Sequence, residues 1–269
     1  VDFINAIILA VVEGITEFLP ISSTGHMILV EDYLKLGTDP VFADTFMVAI
    51  QLPAILSVVL YFWKDLWPFG KTADTRAILT LWAKVVAAFM PAAVLGFLLD
   101  DLIEQWLFTS LTVALALIIG GIILIILERR KQTPRFSSVG EVSYAIAVGI
   151  GFIQCIAMIP GTSRSAATII GAMLLGASRA AAAEFSFFLA IPTMLGATAF
   201  TLMETGLHFT GRQWALLAAG SVVSFLVAYA VVAWLMTFIR KHSFTFFGYY
   251  RIALGLAVLF LMLLAPALR

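Results

Sequence analysis

The chain has 269 residues, 62% of them hydrophobic and 12% charged, with a mean hydropathy of +1.06; too few polar side chains remain to cover a soluble globule, so the composition is that of an integral membrane protein. Sixteen Lys and Arg balance sixteen Asp and Glu, which leaves no basic excess for a nucleic-acid backbone and excludes that class of partner. A single cysteine, Cys155, excludes an intramolecular disulfide, a Cys/His metal cluster and a paired-thiol redox centre.

In chain order, the first apolar region runs from Phe3 to Leu34 and is broken near its middle by Pro20-Ile21-Ser22-Ser23-Thr24-Gly25. About 20 apolar residues are needed to cross the hydrocarbon, so this region is too long for one span and its halves are short for two. A re-entrant hairpin with its tip inside the bilayer fits; the alternative is two ordinary helices joined at the surface. The region opens with Asp2 and lacks the basic segment of a signal peptide, and without an initiator Met the natural start is left open. Three spans follow, at Phe42 to Phe62, Ile78 to Leu99 and Leu107 to Leu127. A second broken region, Val142 to Ala177, is interrupted at Pro160-Gly161-Thr162-Ser163 and precedes spans at Ala182 to Met203, Trp214 to Ile239 and Gly248 to Leu268. The expected fold is an all-α polytopic membrane protein: one membrane domain, residues 1–269, with six transmembrane helices plus two re-entrant helical hairpins.

Charge sets the expected orientation. If the loops near residues 64–76, 128–141 and 240–247 face the cytoplasm, that side collects Lys64, Lys71, Arg76, Lys84, Arg129, Arg130, Lys131, Arg135, Arg179, Arg240, Lys241 and Arg251, and the other keeps Lys35, Arg212 and Arg269. Asp100, Asp101, Glu104 and Glu204 make the outer loops acidic. Both termini are then outside. Pro20-Ile21-Ser22-Ser23 matches Pro160-Gly161-Thr162-Ser163, and Phe46 through Pro53 matches Phe185 through Pro192, so each half, about 1–135 and 136–269, reads as a hairpin followed by three spans. The hairpins enter from opposite faces, which makes the repeats inverted and gathers their breaks near the midplane.

Glu13 and Glu17, at i and i+4, project from one helix face inside the bilayer. A charge at such depth costs at least about 2.5 to 3.5 kcal/mol, and two adjacent carboxylates ionise together when a cation lies between them, so oxygen ligands and a divalent metal are expected. The rival is a hydrogen-bonded acid pair sharing a proton. Ser22, Ser23, Thr24 and Gly25 lead to His26 and offer a nucleophile, phosphate hydrogen bonds and a group that titrates near neutrality; the same hydroxyls also suit a helix cap. Arg164 is the only basic residue between Val142 and Ser178. Its planar fork, with Gly161, Thr162, Ser163, Ser165 and Thr168 around it, suits a phosphate cradle, and a structural ion pair with Glu13 or Glu17 is the alternative. Gln51 lies mid-span, placed either to line the same cavity or to bond a neighbouring helix. Lys84 and Glu184 are expected to snorkel at the cytoplasmic ends, and Tyr249, Tyr250, Trp63, Trp67 and Trp106 to sit in interfacial belts.

The stretches Glu13-Gly14-Ile15-Thr16-Glu17-Phe18-Leu19-Pro20-Ile21-Ser22-Ser23-Thr24-Gly25-His26 and Pro160-Gly161-Thr162-Ser163-Arg164-Ser165 resemble the two signature motifs of the bacterial undecaprenyl-diphosphatase family, also called the bacitracin-resistance proteins. The resemblance covers essentially the whole chain. It implies metal-dependent hydrolysis of undecaprenyl diphosphate to undecaprenyl phosphate and inorganic phosphate in the plasma membrane, recycling the lipid carrier of cell-wall polymers, with a site open to the outer side. It implies Glu13, Glu17, Ser23, His26 and Arg164 as catalytic residues, Glu13 and Glu17 holding Mg2+ or Ca2+, and Ser163 and Thr168 in the phosphate-binding motif. The attacking group is either Ser23 activated by His26 or a water with His26 as base. The partners expected are the polyprenyl diphosphate and membrane lipid, with a homodimer left open. A transporter of lipid phosphates on the same inverted repeat is the other functional class that these residues suit.

Overall fold

The architecture below is that of a computed structural model describing residues 1–30, 34–37, 39–70, 74–130, 133–206 and 208–264, without the side chains of Asp100, Asp101 and Glu104. The side chains of those three acids, Lys71, Lys131 and Arg269 of the charge tally, and the last residues of the sixth expected span lie outside what is described.

Among the described residues the chain is helical, and the one β-bridge joins Phe136 to Ala177. Helix α1 (Asp2–Thr16) and the short α2 (Ser23–Val30) form the first broken unit. The first span, Pro40–Tyr61, is made of α3 (Pro40–Ala49) and α4 (Gln51–Tyr61) and is followed by the turn α5 (Trp63–Leu66). Helix α6 (Thr75–Leu107) carries the second span and α7 (Ser110–Arg129) the third. The second broken unit is α8 (Tyr144–Gln154), a 3-10 turn at Cys155–Met158, and α9 (Arg164–Leu174); the last spans are α10 (Arg179–Thr205), α11 (Gly211–Phe238) and α12 (Thr245–Leu264). Six helical spans therefore stand where the apolar stretches placed them. One boundary differs: the segment expected as an outer loop after Leu99 continues α6 to Leu107, because Leu, Glu and Gln there favour helix and no Gly or Pro stops it.

Side-chain caps set many of the starts. Asp39, Asp74, Thr109, Ser143, Ser178 and Thr210 each accept a backbone N–H of the first turn, and Thr210 with Gln213 completes a capping box. The halves interleave: α1 and α4 pack on α11, α7 on α12, and α6 on α8. Phe18, Phe62, Phe185, Phe187 and Phe188 fill the centre of the main core, while Phe97, Leu98, Phe260 and Leu263 point outward, as lipid-facing side chains do. Chain order therefore gives a broken helix pair and three spans, twice.

Arg251 departs from its expected place. Counted with the charges of the cytoplasmic side, it is fully buried, held by backbone carbonyls that α7 offers it. Without Arg251, and setting aside Lys71, Lys131 and Arg269, nine cations still face two across the expected orientation. Lys84, expected to snorkel, is also buried, its Nζ donating to the Gly140 carbonyl at 3.0 Å.

Candidate active site

Both breaks are built alike. Ser22 and Ser163 each adopt a left-handed backbone, φ 71° in both, a conformation that costs a non-glycine residue about 1–3 kcal/mol and persists where the surroundings impose it, often at functional sites. Each then caps the helix that follows: Ser22 Oγ accepts the Gly25 N–H at 3.3 Å and Ser163 Oγ accepts the Ala166 N–H at 3.2 Å. The caps lie 141 residues apart, one more than the two prolines. Structurally, then, Ser22 corresponds to Ser163, and Ser23, first residue of α2, corresponds to Arg164, first residue of α9. The N-termini of both helices, with their unpaired N–H groups and positive dipole ends, meet at one cavity.

That cavity, of about 200 Å³, is lined by Glu17, Ser22, Ser23, Thr24, Gln51, Gly161, Ser163 and Arg164, with Ala157 and, from α10, Thr193, Met194 and Ala197. Glu17 is its hub. One carboxylate oxygen, Oε2, accepts from Ser23 Oγ at 3.0 Å, and the other, Oε1, accepts from Arg164 Nη2 at 3.0 Å. The remaining Arg164 contacts are the Ser186 carbonyl at 3.2 Å, the Met194 sulfur at 3.7 Å and the Phe18 ring, 6.0 Å from the guanidinium carbon to the ring centroid. A carboxylate bound by a serine hydroxyl and a guanidinium in a half-buried cavity is strongly held.

The other expected residues are spread around this hub. Glu13 is 1% exposed, with Glu17, Gln51 and Arg164 as neighbours, and its Oε1 has no hydrogen-bond partner. His26 does not pair with Ser23. Its Nδ1 bonds the Ser22 carbonyl at 2.7 Å, so Nδ1 carries the proton, and its Nε2 meets the Tyr250 hydroxyl at 2.8 Å. Gly25 packs against α7, where a Cβ would lie 2.9 Å from Leu117 Cδ1. Ser165 donates to the Leu19 carbonyl at 2.8 Å, tying the two tips together, and Thr168 bonds the Arg164 carbonyl at 2.9 Å and the Ser186 hydroxyl at 2.6 Å. The carbonyl of Thr162 accepts from Arg251 at 2.9 Å. Gly25, Ser165 and Thr168 thus support the tips in this structure and do not line the cavity.

Two residues had no signal in the sequence that named them. The Arg251 guanidinium donates to the carbonyls of Pro20 at 3.3 Å, Gly161 at 3.1 Å and Thr162 at 2.9 Å, and to Ala116 and Leu117 of α7. It is a strut between both tips and α7. Gly120 makes room for it, since a Cβ there would collide with the guanidinium. Its neighbour Tyr250, expected in an interfacial belt, stacks on His26 with ring centroids 5.6 Å apart.

A six-span helical bundle with a polar cavity at two helix N-termini, holding a carboxylate, a serine and an arginine, defines a multi-pass membrane protein with an internal polar site. Residues 6–257 match the family described as Bacitracin resistance protein BacA. The chain is 50% identical over 261 residues to a Clostridioides difficile protein named undecaprenyl-diphosphatase 1, covering 96% of this chain and 95% of that one. It is 52% identical over 267 residues to an undecaprenyl-diphosphatase of Fusobacterium nucleatum, covering 95% and 99%, and 47% identical over 266 residues to one of Enterococcus faecalis, covering 96% of each. The chain belongs to the BacA bacitracin-resistance family.

Proposed function

We propose that this protein hydrolyses undecaprenyl diphosphate to undecaprenyl phosphate and inorganic phosphate within the bacterial plasma membrane, conferring bacitracin resistance by recycling the lipid carrier. The observation that carries the reading is the placement of Glu17 between Ser23 and Arg164 at the two helix N-termini. The names of the relatives support hydrolysis over transport. The polyprenyl tail stays in lipid and the diphosphate enters the cavity, where its oxygens take over the Arg164 fork and the free N–H groups of α2 and α9.

Ser23 is the nucleophile. Its Oγ attacks the terminal phosphorus as its proton passes to Glu17; the bridging P–O bond breaks, and Glu17 hands that proton to the departing lipid phosphate. Water then attacks the phosphoserine, the bond from Oγ to phosphorus breaks, and the proton that Glu17 takes from the water returns to Oγ. Arg164 stabilises charge on the transferred group throughout. His26, held by the Ser22 carbonyl and Tyr250, is a positioning residue for the first tip.

A divalent cation fits the residues present. Glu13 offers a buried oxygen with no partner beside a second carboxylate, an oxygen donor set that suits Mg2+ or Ca2+. Glu13 and Glu17 would hold the ion, which when bound supplies Lewis-acid charge against the phosphate oxygens. Among the described residues no group of three His, Cys, Asp or Glu side chains could hold a metal, so two carboxylates with substrate phosphates are the coordination that the site supports. The two broken helix pairs are read as re-entrant from opposite faces, with both termini and the mouth of the cavity on the outer side, supported by the surplus of cations at the other end.

The test is phosphate release from a polyprenyl diphosphate by detergent-purified protein, with Mg2+ or Ca2+ and after chelation. Metal-dependent release that is lost in Glu17→Ala is expected. No release under any metal, from folded protein that binds the lipid, would overturn hydrolysis in favour of lipid-phosphate transport.

A further inference from the structure

Three helix faces lead away from the cavity. On the first, Glu17 lines the cavity from just past the end of α1, still in helical backbone, and Leu9 lies two turns back along the same face through Glu13. On α2, Ser23 lines the cavity and Met27 follows at i+4. On the span made of α3 and α4, Gln51 lines the cavity and Met47 precedes it by one turn, with Ala43 and Pro40 beyond. Leu9, Met27, Met47, Ala43 and Pro40 all line a second cavity, a groove of about 540 Å³. Each of the three elements thus sets one side chain in the cavity and another in the groove, one or two turns further from the tip, about 6 to 12 Å at 1.5 Å per residue. The groove adjoins the cavity along three walls.

The lining decides what enters. Leu9, Met27, Leu34, Leu36, Ala43 and Met47 make the groove mainly apolar, with Leu9 and Leu36 buried in the packing between α1 and α3. Its charges are Lys35, Asp39 and Asp44, a net negative set that disfavours a phosphate. Asp39 is also occupied, accepting from the Phe42 N–H at 3.2 Å and from Gln213 Nε2 at 3.0 Å. Methionine is unbranched and polarisable, and two of them at the junction with the cavity suit an apolar chain of irregular contour. Helix α2 packs on α1, α7 and α12, while α3 packs on α10 and α11, and the groove runs between the two. Its volume is on the scale of sites for small organic ligands, roughly 300–1,000 Å³.

Building on the phosphatase reading, we propose that this groove binds the isoprenyl units next to the diphosphate, with Met27, Met47 and Ala43 as the residues that set how tightly the tail is held, while the bulk of the tail remains in lipid. The terminal phosphate lies at Ser23 and Arg164, the diphosphate spans the turn that separates Ser23 from Met27, and the first isoprenyl unit meets Met27 and Met47. Ala43, one turn beyond Met47, meets the units that follow. Apolar contacts of this kind are made equally in the ground state and the transition state, so they act on substrate binding and leave the chemical step to the cavity.

The experiment is steady-state hydrolysis of farnesyl diphosphate by the full-length protein in detergent, wild type against Ala43→Trp, which fills the groove two turns away from Gln51 and touches none of the residues that line the cavity. KM is expected to rise about tenfold, the loss from excluding roughly one isoprenyl unit from apolar contact, with kcat unchanged, the signature of lost uniform binding. An unchanged KM in Ala43→Trp overturns the groove and leaves the phosphatase reading standing; absence of hydrolysis of any polyprenyl diphosphate by the wild type overturns the phosphatase reading and the proposal that rests on it. Should Ala43→Trp not fold, wild type irradiated with farnesyl diphosphate that carries a benzophenone at its far end decides: adducts on α2 or α3 support the groove, and their absence from both overturns it.

Discussion

Arg164 and Glu17, 147 residues apart in the chain, meet through Nη2 and Oε1 at 3.0 Å inside the cavity. The pair joins the start of α9 to the end of the first helix and holds the substrate-binding fork ready by occupying it with a carboxylate. Because Arg164 also bonds the Ser186 carbonyl through Nη1, its two nitrogens have separate partners. Lysine keeps the charge but lacks the planar fork that spans the two.

Arg164→Lys is therefore expected to lose about 10²- to 10³-fold in kcat/KM, the scale of removing one preorganised donor from a transition state, and Glu17→Gln a similar amount through loss of the proton acceptor. Steady-state phosphate release checks both. Near-normal turnover in either variant would sink the assignment of this pair.

For Ser23 the expectation follows from its bond to Glu17, where pairing with His26 is the sequence-based alternative. Brief reaction with terminally labelled polyprenyl diphosphate should leave label on the wild-type protein and none on Ser23→Ala. His26→Gln, losing contacts to Ser22 and Tyr250 but no proton acceptor, should still form the labelled intermediate at a reduced rate. Full activity in Ser23→Ala would exclude the phosphoenzyme route.

Arg251 makes a stability prediction. Arg251→Met deprives the Pro20, Gly161 and Thr162 carbonyls of their shared donor, and an unmet buried acceptor costs about 1–3 kcal/mol. A lower unfolding temperature in detergent is expected, with loss of activity because both tips shift. Gly120→Ala, far less drastic chemically, should reproduce the effect by pushing the guanidinium out of its niche. Wild-type melting and turnover in both variants would show that the strut is dispensable.

Much of the site was legible along the chain because its components are anomalies of composition. Glu13, Glu17 and Arg164 are charges in apolar text, and a Pro followed by hydroxyl residues marks a broken helix wherever it interrupts a span. Arg251 escaped because it is ten residues beyond Lys241 and beside two tyrosines, the usual composition of an interface. Hydropathy measures depth along the chain and carries no information on what packs beside a residue. The contact of Tyr250 with His26 is hidden from composition for the same reason. Gly25, Ser165 and Thr168 share the motifs of the lining residues, yet only helix rotation decides which hydroxyl faces the cavity and which faces a carbonyl.

The class, the six spans and the two breaks follow from residue order alone, since transfer of apolar surface and backbone satisfaction in lipid depend on local composition. Contacts between distant segments emerge only in three dimensions: Glu17 with Arg164, Arg251 with Pro20 at a separation of 231 residues, and the one-residue offset that makes Ser23 the counterpart of Arg164. Those depend on how two helix ends are turned toward each other, a matter of packing and backbone torsion at Ser22 and Ser163 that no local pattern of residue types displays.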